Sequence, residues 1–135
     1  TTLRRLSSKY SGLVSVIDIG GSWEKTKPGG NKGYNLLVIV LTNKKVQRQK
    51  PVFFLMGAIH ARELVTSETA LRFAEHLLSN YDYDPDITWL LDFCEVHILP
   101  MANPDGRKLS EAGIWWRKNT DNDDGCNDSS YWVQI

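Results

Sequence analysis

The sequence predicts an α/β fold in which a mixed, largely covered sheet carries helices on its faces. Three observations lead to this prediction. Several short apolar runs are rich in β-branched residues, as strands are. Two of these runs are continuously apolar, which is typical of strands that are buried on both faces. Another segment repeats its apolar residues at helical spacing, and strands interleaved with such a helix favour layers of helix and sheet.

The first half of the chain is predicted to contain one helix and three strands. Leu3 and Leu6 lie at helical spacing among charged residues, which indicates a short amphipathic helix. A β-branched run then stops at Gly20 and Gly21, and a glycine-rich turn follows it. Two continuously apolar strands come next, separated by a basic, polar link. The helix is expected at residues 2–10 and the strands at residues 13–19, 35–42 and 51–59.

The second half is predicted to contain two helices and one more strand. Ala70, Ala74 and Leu77 recur at helical spacing, so a long helix should place one face on the sheet. The tetrapeptide Asn-Pro-Asp-Gly at residues 103–106 predicts a type I turn, because it has Asn first, Pro second and Gly fourth. The helices are expected at about residues 65–80 and at residues 87–93, and the strand at residues 94–101.

Size and charge exclude several classes of protein. The chain has 135 residues, with 16 Lys and Arg against 16 Asp and Glu, which indicates one domain at most. The balanced charge argues against a nucleic-acid binder, because neutralising phosphates requires a surplus of basic residues. No apolar run reaches the roughly 18 residues of a membrane span. The sequence begins at Thr1 without methionine or an apolar signal segment, and we interpret it as a processed form or an excerpt.

The sharpest local feature is His60-Ala61-Arg62-Glu63, which comes where the last apolar strand of the first half ends. An imidazole and a carboxylate three residues apart on a bend between strand and helix can converge on one small cation. Zn²⁺ accepts both kinds of ligand. The alternative is that His60 and Glu63 form an ordinary polar rim at the end of a strand.

Several short motifs occur in a fixed order along the chain. Gly57 to Glu63 is followed by the long helix, by the Asn-Pro-Asp-Gly sequence at residues 103–106, and then by Trp116-Arg117-Lys118-Asn119. In this order the chain resembles the first part of a zinc carboxypeptidase of the carboxypeptidase A and T type. The resemblance implies that residues 1–135 form the amino-terminal part of a single catalytic domain, so the fold would be incomplete in this chain.

The resemblance also implies roles for individual residues. His60 and Glu63 match the first two zinc ligands of the family, and Arg62 matches a position that lines the substrate cleft. Arg117 matches the arginine that polarises the scissile carbonyl and binds substrate there. A fixed guanidinium beside that oxygen would favour the negative charge that develops on it. The alternative for Arg117 is a solvated cation beside Trp115 and Trp116.

The residues that complete the family's active site have no counterpart in this sequence. They are the third zinc ligand, the Asn-Arg pair that grips the terminal carboxylate, and the glutamate that acts as general base. His76 and His97 are poor substitutes, because they lie within a predicted helix and a predicted strand. The resemblance therefore implies a metallocarboxypeptidase that acts on peptide or protein C-termini, with this chain inactive alone. Two alternatives are a truncated homologue that serves as a binding or structural module, and an amidase-type hydrolase on the same scaffold.

Secretion is expected from the resemblance only. Two cysteines allow one bridge, but Cys94 lies in an apolar strand and Cys126 in a polar loop, and nothing in the sequence brings them together. If part of the covering structure is missing, exposed sheet edges would favour self-association.

The acidic loop near the end of the sequence suggests a second metal. Four carboxylates together with a glycine resemble a calcium loop, since Ca²⁺ takes several oxygen ligands from a flexible segment. The spacing does not follow the EF-hand rule, and a solvated acidic loop is the favoured alternative. The candidate calcium ligands are Asp121, Asp123, Asp124 and Asp128.

Overall fold

The computed structural model describes residues 2–29 and 32–123 of the chain. The strands are β1 Val14–Gly21, β2 Asn35–Leu41, β3 Val52–Met56 and β4 Glu95–Leu99. The helices are α1 Thr2–Lys9, α2 Trp23–Thr26, α3 Val65–Asn80, α4 Pro85–Phe93 and α5 Pro104–Glu111. The strands form a mixed sheet in the order β1-β2-β4-β3, in which β3 and β4 are parallel and the other two pairs antiparallel. The predicted mixed α/β class is confirmed.

One face of the sheet carries the main hydrophobic core. Alternate strand residues point to this face, and α1, α3 and α4 pack on it. In α3 the buried residues follow the predicted helical spacing, and its buried Ala70 and Ala74 are small enough for close packing. The core comprises Leu3, Leu6, Val14, Ile39, Leu41, Ala70, Ala74, Leu77, Leu78, Ile87, Leu91, Val96 and Ile98.

The opposite face is covered only in part by described residues. Val38, Val40 and Leu99 form a small buried cluster there. Cα pairing places Met56 opposite Leu99, so Met56 and Phe54 face the same side, where they are 43% and 47% exposed. β2 is therefore covered on both faces, as predicted. β3 is not covered on both faces, because Phe54 and Met56 stay exposed within the described residues. It is also an edge strand of the sheet.

One helix begins where the sequence predicts a turn, and another begins earlier than predicted. α5 begins at Pro104, where we predicted a type I turn, and α4 begins at Pro85 rather than at residue 87. Asn103 and Asp84 are the N-caps, and each side chain accepts a hydrogen bond from an N–H group of the first turn. A cap residue followed by proline suits a type I turn and a helix start equally well. The tetrapeptide therefore does not reveal how far the helical backbone continues.

Three further interpretations of the sequence concern membrane spans, the cysteine pair and the number of domains. Within the described ranges, no helix is long and apolar enough to cross a bilayer. Cys94 directly follows α4, whereas Cys126 lies outside the described residues, so the structure does not test a Cys94–Cys126 bridge, which the sequence does not favour. The assignment of residues 1–135 to one domain also stays a prediction.

Candidate active site

The candidate site lies where the two parallel strands end. Because β3 and β4 run side by side in the same direction, their carboxyl ends meet at one edge of the sheet, where open α/β sheets bind ligands. β3 ends at Met56 rather than at residue 59, and the chain then turns through His60 toward α3. A cavity of about 350 Å³ opens here, and its described lining is Met56, Ile59, His60, Ala102, Asn103, Arg117, Lys118 and Asn119.

The turn that carries His60 is held by Thr66, near the start of α3. Ala58 has a positive φ of 53°, a left-handed backbone conformation that is costly for a residue with a Cβ atom. The Thr66 hydroxyl accepts a hydrogen bond from the Ala58 N–H at 3.0 Å and donates one to the Glu63 carbonyl oxygen at 2.7 Å. One side chain therefore connects the two ends of the turn and fixes the segment between them.

His60 and Glu63 converge, as the sequence predicts. The distance between His60 Nδ1 and Glu63 Oε1 is 2.9 Å, and the side chains are 35% and 48% exposed. A carboxylate only accepts hydrogen bonds, so Nδ1 carries the hydrogen in this contact. A metal ion bound at Nδ1 would replace that hydrogen. The two side chains can therefore either share a hydrogen bond or bind one metal ion between them.

Arg117 lies against His60 although 57 positions separate them in the sequence. The Ala61 N–H donates to the Arg117 carbonyl oxygen at 2.7 Å, which brings the two segments together. Arg117 Nη2 is 3.5 Å from His60 Nδ1. Because His60 Nδ1 already donates its hydrogen to Glu63, it cannot accept from Arg117. We therefore interpret the 3.5 Å contact as a close approach rather than a hydrogen bond. The guanidinium therefore lies in the cavity beside the imidazole.

Arg62 stacks on Trp115. The guanidinium carbon is 4.7 Å from the centre of the ring, a cation–π distance, and Trp115 is 75% exposed. Trp116 is engaged elsewhere, because its indole N–H donates to the Lys118 carbonyl oxygen at 2.7 Å. Arg62 is not among the described residues that line the cavity. Its predicted role in the substrate cleft stays a prediction.

The His60–Glu63 pair fits two positions of a tetrahedral zinc ion. Bonds of about 2.0–2.2 Å place neighbouring ligand atoms about 3.3 Å apart. The observed separation of 2.9 Å would have to widen by only about 0.4 Å, and both side chains are exposed enough to rotate. Across residues 2–29 and 32–123, no group of three His, Cys, Asp or Glu side chains could hold a metal ion. The pair could therefore supply two of the three protein ligands that catalytic zinc sites normally have, and its role as zinc ligands stays a prediction.

Comparison with known proteins places the chain in a family. The sequence model of the zinc carboxypeptidases matches residues 1–130. The chain belongs to the zinc carboxypeptidase family. Carboxypeptidase A2 from Mus musculus is 40% identical over 114 residues, which are 84% of this chain and 25% of the relative. Carboxypeptidase D from Homo sapiens is 29% identical and matches 98% of this chain but 10% of its own length.

Solved structures of similar proteins agree with this zinc carboxypeptidase assignment. The crystal structure of thrombin-activatable fibrinolysis inhibitor superposes with a TM-score of 0.74 at 29% identity, covering 87% of this chain and 27% of that one. Carboxypeptidase A from Helicoverpa armigera gives a TM-score of 0.69 at 29% identity, covering 87% of this chain and 26% of that one. This zinc carboxypeptidase chain thus spans about a quarter of the length of these relatives.

The other two histidines of this zinc carboxypeptidase chain have different partners. His97 Nε2 lies 2.7 Å from Glu95 Oε2 on the same face of β4. His76 lies on α3, where its Nδ1 is 3.3 Å from the side-chain nitrogen of Asn80. In the part of the chain that the structure describes, neither histidine belongs to a group of three His, Cys, Asp or Glu side chains that could hold a metal ion.

The predicted calcium loop lies only partly within the described residues. The Asp123 N–H donates to Asp121 Oδ1 at 3.0 Å, a local contact between neighbouring residues. Asp124 and Asp128 lie outside the described ranges. Nothing in the described part of this loop supports a calcium site.

Proposed function

We propose that this chain contributes the amino-terminal part of the catalytic domain of a zinc metallocarboxypeptidase, an enzyme that releases C-terminal residues from peptides or proteins. The observation that carries the proposal is the convergence of His60 and Glu63 at 2.9 Å with Arg117 beside them. Family membership supports the same reaction class.

In this proposal His60 Nδ1 and a carboxylate oxygen of Glu63 hold the zinc ion. When bound, zinc supplies a Lewis acid that polarises a carbonyl group and lowers the pKa of a coordinated water molecule. His60 Nδ1 would have to give up the hydrogen that it donates to Glu63 in order to act as a zinc ligand, which makes the proposed site dependent on pH. Both ligands come from one turn, which Thr66 keeps in shape.

Arg117 has the position and chemistry to bind the substrate carbonyl. Its guanidinium is planar and permanently charged, and the Arg117 backbone is bound to the His60 turn through its carbonyl oxygen. Such a donor stabilises the negative charge that develops on the carbonyl oxygen as a nucleophile attacks, and it does so without rearranging. Arg62 is proposed to contact the substrate farther from the cleaved bond, at the platform that it forms with Trp115.

The charge of the cavity suits a substrate with a free carboxyl terminus. Its described lining residues include Arg117 and Lys118 and no Asp or Glu, and the nearby Glu63 carboxylate is bound to His60. An anionic peptide end would therefore be attracted to the cavity rather than repelled. This charge pattern supports peptide and protein C-termini as the proposed substrates.

A second candidate function is a non-catalytic binding module. It is favoured by the described residues themselves, which provide only two metal ligands in one place. We expect the 135-residue chain to show no turnover by itself, because a catalytic zinc site normally has three protein ligands. Secretion, which the resemblance implies, remains part of this proposal.

The test is peptide hydrolysis by the protein expressed from the complete reading frame that contains this chain. We expect zinc-dependent release of the last residue from peptides with a free carboxyl terminus and not from the same peptides with an amidated end. Arg117→Ala should lower kcat by about 100-fold or more. Arg72→Ala, which removes an exposed arginine on α3, is the matched control and should leave kcat unchanged.

Two other outcomes would favour the alternative functions, and a third would contradict the role of Arg117. Equal cleavage of free and amidated peptides would favour the amidase-type hydrolase. Zinc binding without any hydrolysis would favour the binding module. Activity that survives Arg117→Ala unchanged would contradict the role proposed for that guanidinium.

A further inference from the structure

We infer that Asn103 is a positioning residue whose buried side-chain amide holds the His60 turn and the Arg117 segment at one fixed separation. The inference rests on the proposed function, because it concerns the geometry of the same site. The sequence motif predicts only a turn at Asn103, whereas its contacts give it a role at the candidate site.

Every hydrogen-bonding group of the Asn103 side-chain amide has a partner. The residue is 7% exposed, and its Nδ2 donates to the Lys118 carbonyl oxygen at 2.6 Å and to the Ile59 carbonyl oxygen at 3.3 Å. Its Oδ1 accepts from the Gly106 N–H at 3.0 Å. Both hydrogens of the amide and its oxygen are thus bound inside the protein, which fixes the orientation of the group.

The two carbonyl groups belong to the neighbours of the functional residues. Ile59 directly precedes His60, and Lys118 directly follows Arg117. One planar amide therefore sets the distance between the backbones that carry the imidazole and the guanidinium. A second connection, from the Ala61 N–H to the Arg117 carbonyl oxygen at 2.7 Å, joins the same two segments on the other side of His60.

The position of Asn103 is itself set by the sheet. Its backbone N–H donates to the Ala58 carbonyl oxygen at 3.0 Å, so the segment after β4 is bound to the segment after β3. Gly106, in the first turn of α5, completes the arrangement. A Cβ atom there would collide with the Lys118 carbonyl oxygen and approach Asn103 Oδ1 to 2.8 Å. Only glycine allows α5 to lie this close to the Arg117 segment.

Helix capping alone does not explain an asparagine at this place. Aspartate caps helices as well as asparagine does, and the chain uses Asp84 in that way at α4. Aspartate has no hydrogen to donate, so it would set a carboxylate oxygen against the carbonyl oxygens of Ile59 and Lys118. The amide is required by these two acceptors, and they lie in the candidate site rather than in α5.

The test compares Asn103→Asp with Asp84→Asn in the protein from the complete reading frame. Both variants exchange one N-cap for the other, but only the first removes donors at the site. Zinc affinity is measured by competition with a chromophoric chelator. The position of the Lys118 carbonyl is followed by the NMR signal of the Trp116 indole N–H, which donates to it.

We expect Asn103→Asp to weaken zinc binding by about 10-fold or more and to shift the Trp116 indole signal. Asp84→Asn should change zinc affinity by less than about twofold and leave that signal in place. The inference is overturned if Asn103→Asp matches the unmodified protein in both measurements. If the unmodified protein binds no zinc, the proposed function fails, and the Trp116 signal alone then decides whether Asn103 holds the segment.

A measurement on the unmodified protein covers the case in which Asn103→Asp does not fold. The side-chain amide protons of Asn103 should exchange with solvent at least about 10-fold more slowly than those of Asn119, which is exposed. Equal exchange rates would show that the amide is not bound as described, and would overturn the inference.

Discussion

Thr66→Val tests how the His60 turn is built. The substitution keeps the shape of the side chain and removes the hydroxyl that joins Ala58 to Glu63. The Ala58 N–H then loses its partner in a residue that is 1% exposed. A buried donor without a partner costs about 1–3 kcal/mol, so we expect the free energy of unfolding to fall by about 2 kcal/mol. The positive φ of Ala58 would lose the bond that supports it.

The assay is urea unfolding, with Thr69→Val as the matched control. Thr69 lies on the same helix, but its hydroxyl donates only to the Val65 carbonyl oxygen, on an exposed side. The control should change the free energy of unfolding by no more than about 0.5 kcal/mol. If the two variants lose the same free energy of unfolding, the Thr66 hydroxyl does not hold the turn. A lower zinc affinity in Thr66→Val alone would show that the turn shapes the metal site.

Three further predictions concern the core, a tyrosine and the uncovered sheet. Leu91 is completely buried, and Leu91→Ala should lower the free energy of unfolding by about 3 kcal/mol, measured in urea. Burial, with a hydrogen bond to Asp92, raises the pKa of Tyr81 to about 12, above its unfolded value of about 10. Its stabilisation, about 1 kcal/mol after solvent screening, is therefore complete below pH 10 and lost as the pH rises toward 12. Tyr81→Phe should lack that loss, and equal pH dependence in both proteins would contradict it. The exposed apolar side of β3 predicts concentration-dependent association in sedimentation, which Phe54→Lys should reduce; a concentration-independent monomer would argue against it.

The sheet and its main helix could be predicted because their signals are local. The continuous apolarity of β2 reflects burial on both faces, and the spacing of Ala70, Ala74 and Leu77 reflects one face of α3. The exposed side of β3 could not be predicted in the same way. A continuously apolar run predicts that both faces of a strand are buried, but it does not identify the residues that bury them.

In the candidate site too, contacts between residues close in sequence could be predicted, whereas contacts between distant segments could not be predicted from local patterns. His60 and Glu63 share one turn, so their convergence follows from their spacing. Arg117 is 57 positions away from His60, and only the resemblance to zinc carboxypeptidases suggested that the two lie together. Asn103 was missed because its signal, an asparagine before a proline, is that of a local turn. The bonds that give it a role at the site are made across the fold.

Calorimetric titration of the protein from the complete reading frame with Zn²⁺ measures whether His60 and Glu63 bind zinc. We predict that a single zinc ion binds and that His60→Ala weakens binding by more than about 100-fold. His97→Ala, which removes a histidine paired with Glu95, should leave the affinity unchanged. Undiminished zinc binding by the His60→Ala protein would show that His60 is not a zinc ligand.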